Sequence, residues 1–256
     1  MGDDPKVRAE EIATIRLALD LGATVLDTAE MYGDGRSEKL IAEAIRGRRD
    51  QAFIVTKVYP HNAAEKGCIA ACERSLRRLE TDRIDLYLLH WRGAVPLEQT
   101  LAGFRALQRA GKIRHYGVSN LDLADMQELW TLPGGQDIAS NQLLYNLARR
   151  GIEWDLLPWL REHRIPIMAY SPLEQAKLLR QSKLLAFAKR HDMTPARAAL
   201  AWLLAQEGVI VIPKTGNRER LRENFAAVDE PLTAAQIVEL EKLFPAPQHA
   251  LPLQML

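Results

Sequence analysis

Val25-Leu26-Asp27-Thr28-Ala29-Glu30-Met31-Tyr32-Gly33 decides how the rest of the chain is read. It opens as the short apolar run of a buried strand and ends in polar groups where such a strand would meet solvent. Asp27 lies inside the run, and a carboxylate there needs a strong partner. Tyr32 follows five residues later, on what reads as a loop. A strand that delivers ionisable groups at its carboxyl end is the unit whose recurrence has to be sought elsewhere.

It recurs. Strands are predicted at 25–29, 53–57, 84–90, 113–119, 138–144, 165–170 and 209–212. Helices are predicted between and around them. Ile12, Ile15 and Leu19 set the helical period over 6–21, which Gly22 stops; Leu40, Ile41, Ala44 and Ile45 line a helix opening at Ser37. Further helices are predicted at 63–79, 97–110, 123–132, 152–163, 182–190, 195–206, 218–228 and 234–244, with Pro158 expected to kink the sixth. Thr194 ahead of Pro195, and Thr233, read as N-caps.

Strict alternation of strand and helix predicts an α/β protein with parallel strands. A doubly wound sheet accommodates seven strands, but the glycine-rich phosphate turn that usually marks it is missing. A (β/α)8 barrel usually takes about 250 residues, and this chain has 256. It opens directly on a helix, so the first strand of such a barrel would have to precede Met1. With 47% hydrophobic residues the chain can bury a large core, and a single domain over 1–256 is the simpler organisation.

The net charge of +1, from 34 Lys and Arg against 33 Asp and Glu, offers no global attraction for nucleic acid or an acidic membrane. The only cysteines, Cys68 and Cys72, share one helix face and read as reduced packing residues. Neither a secretory leader nor an apolar run of membrane-spanning length is present in the sequence, which predicts a soluble, cytoplasmic protein.

In a barrel the carboxyl ends of the strands converge, and here they would bring Asp27, Lys57, His90, Ser119-Asn120 and Lys214 to one rim. Each residue alone has an ordinary structural explanation; their coincidence is the signal. A Tyr hydroxyl has a pKa near 10, and an ammonium at Lys57 is expected to lower that of Tyr32. Asp27 would hold Lys57 in place, and His90 would donate a hydrogen bond to a substrate oxygen. This set can protonate a carbonyl oxygen while hydride arrives at carbon. None of these residues donates hydride, so a cofactor has to supply it. A metal site is poorly supported, for want of a cluster of ligands. An alternative use of Lys57, as the Schiff base of an aldolase or isomerase, is disfavoured by the carboxylate that would keep it protonated. The run Ile212-Pro213-Lys214-Thr215-Gly216-Asn217 leads from a strand into a helix start, where Lys214, Thr215, Arg218 and Arg220 could meet an anion, although Glu219 and Glu223 dilute the charge. The basic groups at 46–49 and 112–114 read as solvated faces.

On these residues the chain resembles the aldo-keto reductases along essentially its whole length, and among them the prokaryotic NADPH-dependent methylglyoxal and diketogluconate-type reductases. The carriers of the resemblance are Asp27-Thr28-Ala29-Glu30-Met31-Tyr32-Gly33, Lys57, His90, Gly117-Val118-Ser119-Asn120, Ala169-Tyr170-Ser171-Pro172-Leu173, Ile212-Pro213-Lys214-Thr215, Arg220 and Glu223-Asn224. The resemblance implies a (β/α)8 barrel that binds NADPH (NADP+) without a Rossmann domain, and Asp27, Tyr32, Lys57 and His90 as catalytic residues. It places Ser119, Asn120 and Gln142 at the nicotinamide carboxamide, Tyr170 on the nicotinamide ring, and Ser171 and Leu173 along the pyrophosphate. Lys214, Thr215 and Arg220 would meet the 2′-phosphate, Glu223 and Asn224 the adenine end, and Met31 and Trp91 would wall the substrate pocket. The implied activity is reduction of small aldehydes and ketones to alcohols, in a monomer whose partner is a small carbonyl compound rather than nucleic acid or membrane. The family's N-terminal hairpin and first barrel strand have no counterpart here. A nucleotide-binding regulatory or inactive, truncated reductase-like protein is therefore the alternative reading.

Overall fold

Ile84-Asp85-Leu86-Tyr87-Leu88-Leu89 is buried at every position, the pattern of a parallel strand covered on both faces. A computed structural model of the chain describes residues 1–2 and 4–256. Among the described residues it contains seven strands, β1 Val25–Asp27, β2 Phe53–Val58, β3 Ile84–Leu89, β4 Ile113–Ser119, β5 Asn141–Leu144, β6 Ile167–Tyr170 and β7 Val209–Val211. The helices are α1 Arg8–Asp20, α2 Arg36–Ala44, α3 Glu65–Leu79, α4 Leu97–Arg109, α5 Leu123–Thr131, α6 Leu156–Glu162, α7 Ser182–Arg190, α8 Pro195–Leu204, α9 Arg218–Asp229 and α10 Ala234–Leu243. Each strand is followed by at least one helix, so the chain has the strand–helix alternation of a (β/α)8 barrel with seven strands.

Two compact units divide the chain: residues 1–140 with 216–218, and residues 141–215 with 219–256. In the first, β1 to β4 pair in parallel in sequence order, with Asp27 opposite Val55 and Lys57 opposite Leu88. Helix α3 packs between α2 and α4, touching both. Cys68, Cys72, Leu76, Leu79, Leu101 and Phe104 are buried on α3 and α4, the stripe that the 3.6-residue period of those helices sets. Both thiols are free. Burial pushes the Cys68 thiol up, and the Cys72 thiol to about 12, so both stay protonated at neutral pH, as packing residues do.

In the second unit β5, β6 and β7 pair in parallel, and Tyr145, Leu160, Phe187, Trp202 and Leu240 are buried. Thr194 caps α8 by accepting from the Arg197 N–H at 3.1 Å. Thr233 caps α10 in a reciprocal box with Gln236.

Two elements start three and four residues later than expected. Strand β5 starts at Asn141 because residues 138–140 bond alongside β4: Ala139 N–H donates to the Tyr116 carbonyl at 2.8 Å, and Val118 N–H to that of Ser140 at 3.0 Å. A Cβ on Gly117 would lie 2.5 Å from the Ser140 carbonyl oxygen, so only glycine permits this approach. Helix α6 starts at Leu156, after a 3-10 turn over Gly151–Glu153. Pro158 then falls in the first turn, where its missing N–H breaks no helical bond, and the expected kink has no cause.

Candidate active site

β1 ends on Asp27, which pairs with Val55 of β2; Lys57 stands two residues beyond Val55, and the alternation of side chains along a strand puts it on the same face. Lys57 is fully buried. Its ammonium donates to Asp27 Oδ1 at 3.0 Å, to Asp27 Oδ2 at 2.8 Å and to the Thr28 carbonyl at 2.7 Å, so all three N–H bonds are satisfied. This is how a buried cation is tolerated. The chain then turns through Tyr32–Gly35, with Gly33, Asp34 and Gly35 at φ 58°, 53° and 84°. That left-handed run, with glycine at two of its three positions, folds the Tyr32 ring over Lys57, whose Nζ lies 5.0 Å from the ring centroid. His90 follows β3 directly and meets Tyr32 edge-on, at 5.7 Å between centroids and 79° between planes.

These surroundings set the protonation states. Burial raises the Tyr32 hydroxyl above its ordinary value and outweighs the Lys57 ammonium, which pulls it down; the Asp27 carboxylate adds a smaller upward push. The expectation of a lowered phenol is thus corrected: Lys57 acts in the expected sense, and desolvation acts more strongly. Burial and the Lys57 charge push His90 down to about 3, so its ring is neutral at neutral pH, with Nδ1 buried and unbonded. The pair therefore presents a protonated phenol and a neutral imidazole. One can give a proton, and the other can offer a single N–H without changing charge.

Other site residues in this unit lie close by. Asn120, at φ 56°, donates to the His90 carbonyl and to Ser119 Oγ, both at 3.2 Å. Trp91 packs on His90 at 4.9 Å and meets Tyr59 edge-on at 5.9 Å, while Met31 is 39% exposed. Sequence reasoning missed Glu30. Its buried carboxylate accepts from the Tyr59 N–H at 2.8 Å, from Asn62 Nδ2 at 3.1 Å and from Arg74 Nη2 at 3.4 Å. It fastens the loop that bears Tyr32 to the segment after β2. A glutamate two residues from the tyrosine was a signal, since any such group held inside must be bonded.

The remaining predicted residues fall in the second unit. Gln142 is buried on β5, with Nε2 3.9 Å from Met168 Sδ. Tyr170 closes β6 with a part-exposed ring, and Ser171 follows at φ 48° with its carbonyl accepting from Asn146 Nδ2 at 3.0 Å. Leu173 is half-buried. Lys214 and Arg220 are exposed, and Thr215, Glu223 and Asn224 are partly so. Arg218, counted among the cations from sequence, belongs to the first unit and is bonded through Nε to Glu10 Oε1 at 2.9 Å. Within α9 only Ala227 is buried, so the helix start is an open face that carries cations and amides together with Glu219 and Glu223. That donor set fits a phosphorylated dinucleotide: cations for phosphate, a part-exposed aromatic ring for stacking, and amides for a carboxamide. Among the described residues no cluster of His, Cys, Asp and Glu could hold a metal ion, and no helix is long and apolar enough to cross a membrane.

A parallel α/β chain whose strand ends gather a buried lysine–aspartate pair, a tyrosine and a neutral histidine defines a class of carbonyl-handling proteins. A profile of the Aldo/keto reductase family matches residues 1–244, and the chain belongs to that family of oxidoreductases acting on carbonyl and alcohol groups. Methylglyoxal reductase YeaE of Escherichia coli K12 is 48% identical over 260 residues, spanning 100% of this chain and 92% of its own length. Methylglyoxal reductase DkgB of Salmonella typhimurium is 32% identical over 231 residues, spanning 87% and 84%. An aldo/keto reductase from Klebsiella pneumoniae, solved in complex with NADP and acetate, is similar at a TM-score of 0.97 and 46% identity, over 100% of this chain and 92% of that one. The same values hold for a Klebsiella pneumoniae aldo-keto reductase in complex with NADPH.

Proposed function

We propose that this protein reduces small aldehydes and ketones, dicarbonyls such as methylglyoxal among them, to alcohols with NADPH. The observation that carries the reading is the Tyr32 ring seated over the Lys57–Asp27 pair and against a neutral His90. The relatives' activities and the NADP and NADPH complexes of the Klebsiella pneumoniae proteins support it.

NADPH, when bound, supplies hydride to the carbonyl carbon. Lys214, Thr215 and Arg220 would hold its 2′-phosphate, Glu223 and Asn224 its adenine end, and Ser171 and Leu173 its pyrophosphate. By the family resemblance Tyr170 would stack on its nicotinamide ring, and Ser119, Asn120 and Gln142 would meet the carboxamide. His90 donates its N–H to the carbonyl oxygen and fixes its direction. Tyr32 gives its hydroxyl proton to the same oxygen as negative charge gathers there. Lys57, three bonds deep in Asp27 and Thr28, cannot swing away and stabilises the phenolate that remains. Met31 and Trp91 wall the space for the substrate.

The test is Tyr32→Phe, which removes one oxygen and leaves the ring packing. Its NADPH oxidation with methylglyoxal should fall by about 10²–10⁴-fold, the usual worth of a positioned acid, with NADPH binding retained in a fluorescence titration. Full turnover by the variant ends the assignment. NADPH binding by the parent protein without any oxidation would favour the regulatory reading.

A further inference from the structure

Arg8 on α1, Lys39 on α2, Arg46 just beyond α2, and Arg74, Arg77 and Arg78 on α3 line one open cavity of about 500 Å³ in the first unit. Only two carboxylates, Glu43 and Glu80, share the lining. Six cations line it against two carboxylates, and with the buried Glu30 and Glu38 that Arg74 and Arg78 meet an excess of about two positive charges remains, in a chain whose net charge is +1; a concave wall focuses such a field.

The six cations fall into three kinds. Arg74 and Arg78 are committed: they pair with the buried Glu30 at 3.4 Å and the buried Glu38 at 2.5 Å, and breaking such pairs is costly. They form a fixed floor. Arg8 and Arg46 pair with Glu43 at 2.7 Å and Glu80 at 3.1 Å. Glu80 is exposed and Glu43 is half-buried, and pairs this near the surface are worth little and can be exchanged for a more highly charged partner. Lys39 and Arg77 are exposed and form no ion pair among the described residues. Four cations around one concavity are thus available to an incoming anion.

We propose that this groove binds a small ligand carrying two or more phosphate groups. The guanidinium fork matches phosphate oxygens two at a time, the number of available cations suits several negative charges, and the cavity has the size of a ligand pocket rather than of a single ion. The groove owes nothing to Lys214, Thr215 or Arg220, and its occupancy does not depend on the proposed reductase activity. Arg46, which from sequence belongs to a solvated face, becomes part of it only when α2 and α3 meet.

The experiment is isothermal titration of the full chain with inorganic pyrophosphate and, in a second arm, with ATP, both in excess NADP+. Each is repeated on Lys39→Gln/Arg77→Gln and on Lys189→Gln/Lys242→Gln, which removes the same charge from exposed positions that do not line the groove. Pyrophosphate should bind the parent at one site, with affinity falling as salt rises. The groove variant should weaken it about tenfold or more, as loss of two charge-assisted contacts requires, and the control variant should not. Equal affinity for ATP identifies the phosphates as the recognised part; tighter ATP binding adds a contribution from the nucleoside. Overlaid unfolding curves of parent and groove variant show that the loss is not misfolding. No binding by the parent, or equal weakening in both variants, overturns the proposal.

Discussion

Tyr32 and His90 owe their protonation states to opposite readings of one environment. Burial disfavours the charged form of each, so the phenol moves up and the imidazole moves down, and the Lys57 charge joins burial on His90 but opposes it on Tyr32. Two consequences can be measured. The reduction rate should show no inflection near pH 6.5, because His90 does not titrate there in the folded protein; a profile of kcat/KM from pH 5.5 to 9 checks this. Stability carries the other signature. In the unfolded chain His90 takes up a proton near pH 6.5, whereas the folded protein resists it down to about 3. Between those values the unfolded state binds more protons, so stability rises with pH and is lost as pH falls through 6.5. His90 alone contributes up to about 1.4 kcal/mol per pH unit in that window. Urea unfolding at pH 6.5 and 4.5 should cost the parent about 2 kcal/mol more than His90→Gln, which cannot be protonated.

At the scale of elements, buried carboxylates bind strand to helix. Glu38 on α2 is fully buried and accepts from Thr56 Oγ1 on β2 at 2.7 Å and from Arg78 Nε on α3 at 2.5 Å. Glu38→Ala leaves a buried hydroxyl without an acceptor and a partly buried guanidinium without a partner, at a cost of about 3 kcal/mol. Adding Thr56→Val removes the stranded hydroxyl and should restore about 1 kcal/mol. Urea midpoints at unchanged m-value check both figures. The bond set of Glu38 was not legible in the sequence, because its partners lie eighteen and forty residues away and only folding chooses them. What could be read were features written locally: the apolar stripe of α3, the caps at Thr194 and Thr233, and the ionisable residues at strand ends. Pro158 was misread because a proline's effect depends on where the helix starts, and the preceding 3-10 turn moved that start by four residues. The direction of the Tyr32 shift was misread for a related reason, since spacing reveals a neighbouring charge but not how much water is excluded.

Across the whole molecule, charge is nearly balanced, and what matters is where the imbalances sit. Lys214 and Arg220 lie exposed beside and within the start of α9, a place where helix geometry already favours phosphate. If these two side chains hold the 2′-phosphate of NADPH, they contribute nothing to NADH, which lacks it. A ligand that binds only the folded state stabilises it by about 2.7 kcal/mol at a hundred times its dissociation constant, and a chain of this size gains roughly 2–4 °C in Tm per kcal/mol. NADPH should therefore raise the melting temperature by roughly 5 °C or more at that excess, and NADH at equal concentration by distinctly less. In Lys214→Gln/Arg220→Gln the NADPH shift should shrink to that of NADH, with the NADH shift unchanged, because only the phosphate contact has been removed. A variant in which NADPH still stabilises as strongly as in the parent would place the discriminating charge elsewhere, and a parent that answers both cofactors equally would remove the basis for an NADPH preference.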